Sequence, residues 1–301
     1  MNILVTGASG LIGTALIREL SKRGDDVIIA RRASQRPLSY LRSVTWDTSS
    51  GTLDGDLGTL DAVVHLAGAG IGNRRWNGLV KDDIYYSRIS GTQQIVSAVE
   101  HNQTQSVRFI SASAIGFYGD QGNTLINEES PSGTTFLAKV TRDWETQAEK
   151  ASEHGDQIVM IRTGIVLSTA GGALQKQLLP FKFGLGGTLG DGSTWNSWIH
   201  IHDEIRAILF LLDHQEITGP VNLCSPNPVT NKQFTQALAK ALARPAVMRV
   251  PKFALEVALG REMAQELLFC SSRVIPGVLV NNGFEFDFAT LDHCLFDLLK
   301  K

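Results

Sequence analysis

The stretch MNILVTGASGLIGTALIRELSKRGDDVIIARR, Met1 to Arg32, decides the fold. Ile3-Leu4-Val5 is an apolar run that ends in Thr6. Glycines follow at Gly7, Gly10 and Gly13. Leu11, Ala15, Leu16 and Leu20 then recur at helical spacing as far as Arg23-Gly24. A second apolar run, Val27-Ile28-Ile29-Ala30, closes on Arg31-Arg32. The order is strand, glycine turn, helix, strand. The spacing is G-x-x-G-x-x-G, and it sits where such a turn must sit, directly after a strand and before a helix. One glycine allows the turn, one lets a pyrophosphate approach the backbone, and one lets helix and strand pack closely. The free N–H groups of the helix start favour phosphate. Gly7, Gly10, Leu11, Ile12 and Gly13 are therefore the expected cradle of a dinucleotide.

The end of the second strand selects the cofactor. An acid there bonds the ribose 2′-OH of NAD, and an arginine accommodates the 2′-phosphate of NADP. Ala30-Arg31-Arg32 contains no acid, and guanidinium groups match phosphate in charge and geometry. Arg31 and Arg32 point to NADP(H).

The rest of the chain sets bounds. Its 301 residues are 43% hydrophobic and 19% charged, enough for one large domain or two unequal lobes. A net charge of −2 without like-charge runs gives no support to a nucleic-acid or membrane-surface role. Cys224, Cys270 and Cys294 are isolated, with no C-x-x-C pair, so neither a disulfide framework nor a metal site is expected. The first strand begins at residue 2 without a signal-peptide pattern, and no apolar stretch is of spanning length. A cytoplasmic protein is the expectation.

Along the chain, a polar loop with Pro37 leads to a strand at Ser43–Trp46, and Thr48–Gly58 reads as loop. Asp47 is either an adenine ligand or a turn acid. Asp61–Gly68 reads as a buried strand whose small-residue end, Leu66-Ala67-Gly68, lets a cofactor lie on the backbone. Gly70–Asn77 is a loop carrying Arg74, Arg75 and Trp76, suited to an anionic or sugar-nucleotide ligand or simply surface. Helices are expected over Leu79–Glu100 and Phe136–Ser152, with strands at Val107–Ser111 and Ile158–Arg162. Alternating strands and helices predict a doubly wound parallel α/β sheet, the Rossmann arrangement. After Gly164 the texture becomes glycine-rich, at Gly171-Gly172 and Phe183–Gly192. Trp195–Ile201 is extended, His202–Asp213 helical, and Pro220–Cys224 one more sheet strand. Further helices are expected at Asn231–Leu242, Lys252–Leu259, Glu262–Phe269 and Ala289–Leu299. Residues 1–164 are expected to form the nucleotide domain and 165–301 a smaller lobe, with 200–224 returning to the sheet.

These residues together resemble a family. Gly7-x-x-Gly10-x-x-Gly13, Asp61-x-x-x-His65-Leu66-Ala67, the serine-rich strand end, Arg162-Thr163-Gly164 and Trp198–Asp203 are similar to the extended short-chain dehydrogenase/reductases, the NAD-dependent epimerase/dehydratase superfamily. Arg75-Trp76, Ser87-Arg88, Trp144-Glu145, Leu178–Phe181, Gly184–Gly187, Asn231-x-x-Phe234, Arg244-Pro245 and Gly283-Phe284 resemble its atypical "epimerase family protein" branch. That resemblance implies a C-terminal module over about 248–298 and an NADP(H) site. It implies backbone contacts from Ile165 and Val166 to the nicotinamide carboxamide, and Arg88 on the nucleotide-facing helix. Arg88 is read as a cofactor contact, with an anionic substrate as the other possibility. It leaves the oligomeric state open, although many relatives by fold pair into a homodimer through the two long helices.

The resemblance brings a departure. The family's Ser, Tyr and Lys act together, with Tyr and Lys spaced Y-x-x-x-K. Ser113 matches the serine and Lys139 the lysine, but Thr135 stands in the tyrosine's place. A threonine hydroxyl titrates far too high for acid/base work near neutral pH. Arg88 replaces an active-site asparagine. Tyr118 is the leading replacement proton donor and His200 the second, each with a purely structural alternative. The expectation is an NADP(H)-binding oxidoreductase or epimerase acting on a small carbonyl or sugar-nucleotide-like substrate, or else a non-catalytic redox sensor or scaffold.

Overall fold

The computed structural model describes residues 1–35 and 41–300; the loop position Pro37 lies outside them. The first six strands are β1 (Asn2–Thr6), β2 (Asp26–Arg31), β3 (Arg42–Asp47), β4 (Thr52–Asp54), β5 (Ala62–His65) and β6 (Arg108–Ala114). With Gln157–Thr163 and Gly219–Leu223 they form an eight-stranded sheet. Its order is Gly219–Leu223, Gln157–Thr163, β6, β5, β1, β2, β3, β4. Every neighbouring pair is parallel except β3 and β4. β4 falls inside the stretch expected to be loop; three residues with one half-buried leucine give too little alternation to read.

Three helices flank the first half: α1 (Leu11–Arg23), α2 (Gly78–Asn102) and α3 (Phe136–Glu149). Strand residues alternate between two cores. Ile3, Val5, Val64, Ile110 and Ile161 pack with Leu16 and Leu20 of α1 and with Ile205 and Ile208 of the helix Ile201–Asp213. Leu4, Val63, Phe109 and Met160 pack on the other face against Ile95 and Val99 of α2 and Ala148 of α3. Burial on both faces is why the strands read as continuous apolar runs. Arg108 closes the end of the helix Ile201–Asp213, its guanidinium donating to the carbonyls of Leu211, His214, Gln215 and Ile217 at 2.7–3.1 Å.

The order in which strands are added reverses between β1 and β5, which makes that junction the switch point where ligands bind in such sheets. A third core gathers Leu174, Leu178, Trp198, Phe234, Leu238 and Leu295. It includes the helix Gly172–Lys182, which the glycine-rich texture and the internal Pro180 concealed from sequence reading. The helix Arg261–Leu268 packs back on the nucleotide half, where Glu262 pairs with Lys81 of α2 at 2.6 Å. One turn on, both Glu266 oxygens accept from α3, from Phe136 N at 2.9 Å and Leu137 N at 2.7 Å. Among the described residues no helix is long and apolar enough to cross a membrane.

Candidate functional site

The glycine turn has the geometry of a phosphate cradle. Gly7 has a positive φ of 69°, and a side chain there would stand 2.7 Å from the Leu66 carbonyl. A side chain at Gly13 would collide with the Gly7 carbonyl oxygen. The N-cap of α1 is Gly10, and no side chain caps the helix. Leu11 and Ile12 thus begin a helix whose first N–H groups are offered to a ligand.

A buried network locks the switch point. Thr6 Oγ1 accepts from Leu66 N at 3.1 Å and Ala67 N at 3.2 Å, and lies 2.8 Å from His65 Nδ1. With two N–H groups donated to it, the hydroxyl gives its own proton to Nδ1. The imidazole proton then sits on Nε2 and is donated to Thr92 Oγ1 at 3.0 Å. Trp144 Nε1 donates to the same Thr92 oxygen at 2.7 Å. Burial lowers the His65 pKa to about 3, so the ring is neutral. Leu66 and Ala67, expected as cofactor contacts, have their N–H groups spent on Thr6 and offer a close backbone surface instead. Sequence reading missed Thr6, Thr92 and Trp144 as a unit; the only signal was a hydroxyl at the end of β1.

At the end of β2, Arg31 is engaged, donating from Nη1 to Gln35 O at 3.0 Å and from Nε to Ser43 Oγ at 3.4 Å. Arg32 is exposed. Gln35 Nε2 reaches Ser9 Oγ in the glycine turn at 3.3 Å, tying the two loops together.

The expected proton carriers are not brought together. Ser113 Oγ donates to Glu145 Oε1 at 2.6 Å, and Arg162 clamps the same carboxylate with two bonds of 2.8 Å. Arg162 Nη1 donates to Tyr118 Oη at 2.9 Å, and that hydroxyl donates to Asn222 Oδ1 at 2.7 Å. Tyr118 has no exposed surface, and burial pushes its pKa up to about 12 despite Arg162. Tyr118, expected as the replacement donor, is placed as a buried phenol bonded to the strands Gln157–Thr163 and Gly219–Leu223. Lys139 lies apart from this network. Its side chain is 55% exposed and pairs with Asp143 at 2.6 Å. The face of α3 turned inward carries Ala138, Thr141, Trp144, Glu145 and Ala148. Thr135 caps α3, its Oγ1 accepting from Ala138 N at 3.2 Å.

His200 caps the helix Ile201–Asp213 through Nδ1, which accepts from His202 N at 2.9 Å. Its ring stacks on Phe288 at 3.9 Å, and burial lowers its pKa. Nε2 lies 3.3 Å from Asp297 Oδ2 without hydrogen-bond geometry. This is a brace. Ile165 N donates to Ser197 O at 2.8 Å, so that N–H is not free for a carboxamide. Alternate residues bond in a parallel ladder, so the Val166 N–H is turned away from that partner strand.

Arg88 stands half-buried beside Gly68, where a side chain on the glycine would come within 3.2 Å of its Cζ. Between the starts of α2 and α3 lies a cleft of about 530 Å³, lined by Trp76, Lys81, Tyr85, Phe136, Lys139 and Glu262. The two lysines are neutralised by Glu262 and Asp143 and sit over the rings of Phe136 and Tyr85, at 4.4 and 4.5 Å. In the loop Gly70–Asn77, Arg74 pairs with Asp83 at 3.0 Å, and Trp76 Nε1 bonds Ile71 O.

The sheet order, the glycine turn and the switch point describe a nucleotide-binding α/β protein, and the chain belongs to the NAD dependent epimerase/dehydratase family, whose model matches residues 3–224. Residues 250–298 match a domain of unknown function, DUF1731. Epimerase family protein ML0860 of Mycobacterium leprae is 38% identical over 294 residues, covering 97% of this chain and 94% of that one. The human epimerase family protein SDR39U1, isoform 2, solved with NADPH, superposes with a TM-score of 0.90 at 31% identity over 100% of both chains. A nucleoside-diphosphate sugar epimerase from Corynebacterium glutamicum gives a TM-score of 0.79 at 35% identity, over 99% of this chain and 57% of that one.

Proposed function

We propose that this chain binds NADP(H) across the β1/β5 switch point. The pyrophosphate rests on the uncapped start of α1 and the 2′-phosphate on Arg32. The observation that carries the reading is the combination of that open helix N-terminus with an acid-free, arginine-bearing end of β2 tied to it through Gln35. The NADPH in the human relative's structure supports the same choice. Bound NADPH supplies a hydride. The chain's own residues hold the dinucleotide, keep the switch point rigid through neutral His65, and present Arg88 on the far side.

Two readings follow for what the bound cofactor does. In the first, hydride passes to a small carbonyl or sugar-nucleotide-like compound. In the second, the cofactor is held without turnover, as a redox sensor would hold it. The burial of Tyr118 and the outward turn of Lys139 favour the second, because neither group meets the crevice as an acid. Fluorescence titration with NADPH and NADH tests the cofactor choice. We expect NADPH to bind more tightly by about tenfold or more, roughly 1.4 kcal/mol, and Arg32→Glu to remove most of that preference. Equal affinity of the unmodified protein for both would overturn it. Single-turnover oxidation of the NADPH complex by one class of carbonyl compound would then favour the first reading over the second.

A further inference from the structure

Glu204, on the first turn of the helix Ile201–Asp213, is a carboxyl group with no exposed surface. Thr163 Oγ1, at the end of the strand Gln157–Thr163, lies 2.9 Å from its Oε1, and Oε2 has no partner among the described residues. A carboxylate so desolvated is costly, and the group avoids the cost by keeping its proton. The helix packs on α1, on β6 and on the strands Ile165–Leu167 and Trp198–His200. No charge of those elements is paired with Glu204. Arg18 of α1 is exposed, Glu19 pairs with Lys22, and Arg23 meets Asp213 at the far end of the helix. Arg108 of β6 also closes that far end. His200 stacks on Phe288, Asp203 accepts from Asp287 N and Phe288 N, and Asp287 pairs with His202 and Arg206. Glu285 is exposed. Cys224 is the buried titratable group that feels Glu204, and burial keeps its thiol protonated.

This acid stands directly behind a half-open strand end. Arg162 and Leu167 are buried, and Thr163, Gly164, Ile165 and Val166 between them are half-buried. Ligands of such sheets lie outside the carboxyl ends of the strands. On the NADP(H) reading, the pyrophosphate rests at the start of α1 and the nicotinamide end crosses the switch point towards this side. Its ring is neutral in NADPH and positively charged in NADP⁺. We propose that Glu204 and Thr163 form a proton-holding pair that reads the charge of the nicotinamide ring. Glu204 keeps its proton beside the neutral ring and releases it to solvent when the cationic ring takes that place. Thr163 then donates its hydroxyl to the new carboxylate, and carboxylate and cation stabilise each other. The coupling is reciprocal: as the cation loosens the proton, loss of the proton tightens the cation. Burial puts the Glu204 pKa at about 8, within reach of neutral pH. Burial moves His200 down and Cys224 up, away from that range. A chain holding its cofactor without turnover would thereby distinguish oxidised from reduced dinucleotide. The inference rests on the NADP(H) reading and adds to it the residue that senses the ring.

Calorimetric titration with NADP⁺ and with NADPH, in buffers of different ionisation heat, tests the proposal by counting protons. Proton release is expected when NADP⁺ binds near neutral pH, and none beyond the 2′-phosphate contribution, which both dinucleotides share, when NADPH binds. The ratio of NADP⁺ to NADPH affinity cancels that shared contribution. It should rise about fivefold or more from about pH 6.5 to about pH 8.5. Glu204→Gln, which has the shape of the protonated acid, should flatten the ratio while both dinucleotides still bind. Thr163→Val removes the donor that stabilises the carboxylate, so the rise should move to higher pH. It also carries the test if the Glu204 variant does not fold. A ratio independent of pH in the unmodified protein would overturn the proposal. So would a slope that survives in Glu204→Gln, or one that Thr163→Val leaves in place. Failure of the cofactor reading would show differently, as absence of binding by either dinucleotide or equal affinity for NADPH and NADH.

Discussion

Spacing fixes how far apart two residues stand along a helix, and the face they occupy depends on where the helix begins and what it packs on. Thr135 and Lys139 satisfy a Y-x-x-x-K spacing with the tyrosine changed. α3 starts at Phe136 and turns Thr141 and Glu145 inward, which leaves Lys139 over Tyr85 and solvent. Lys139→Ala is therefore expected to change NADPH affinity and stability little, by a few tenths of a kcal/mol at most for an exposed pair. Thr135→Ala removes a cap and should lower unfolding free energy by about 1 kcal/mol in urea denaturation. A large loss of NADPH binding in Lys139→Ala would contradict the outward placement. The glycine turn was legible for the opposite reason. At Gly7 and Gly13 the backbone itself comes too close for a side chain, so the geometry leaves its mark in residue type. Thr6, His65, Thr92 and Trp144 left no such mark, because common residue types separated by many positions acquire meaning only when folding brings their hydroxyls and rings together.

Between elements, a buried polar joint fastens α3 to the sheet. Glu145 of α3 and Arg162 of the strand Gln157–Thr163 are only 6% and 5% exposed, and Ser113 of β6 adds a third connection. Removing one member leaves the other charge buried and unmatched. Glu145→Ala should therefore lower stability by about 3–5 kcal/mol, far more than Ser113→Ala, for which about 1 kcal/mol is expected. Denaturant midpoints measured side by side check the order; similar small losses would mean that water reaches Arg162. The parallel strands were readable because burial on both faces makes them continuous apolar runs, and the long helices because burial of one face imposes a period on ten or more residues. β4 and the helix Gly172–Lys182 were not, since three residues carry no period and Gly172 and Pro180 are read as breakers. Glu145 and Arg162 stand in the sequence only as family signatures; their pairing needs the register of α3 against the sheet.

Over the whole molecule, two buried groups set opposite pH trends. Glu204 has no exposed surface; Thr163 Oγ1 donates to its Oε1 at 2.9 Å, and its Oε2 is unpaired. Burial raises its pKa from 4.5 to about 8. The folded form keeps that proton while the unfolded chain loses it, so the contribution is full below pH 4.5 and is lost as pH rises towards 8, at up to about 1.4 kcal/mol per pH unit. His65 runs the other way: its ordinary pKa of 6.5 drops to about 3, so its contribution is present above 6.5 and is lost as pH falls towards 3. Between pH 6.5 and 8 only the Glu204 trend remains of the two, and Glu204→Gln should flatten the stability profile there. An unchanged slope in thermal melts across that window would refute the assignment. The docking of Glu262 and Glu266 onto α2 and α3 has a consequence for how the chain is made. Domains fold as units during synthesis, N-terminal part first. The edge strand Gly219–Leu223 must leave the ribosome before the main sheet is complete, and residues 261–268 emerge only later, onto a floor that already exists. Until then the N-terminus of α3 lacks the carboxylate that will satisfy Phe136 and Leu137, and a nascent chain stalled before residue 261 would present that bare helix end to whatever it meets first.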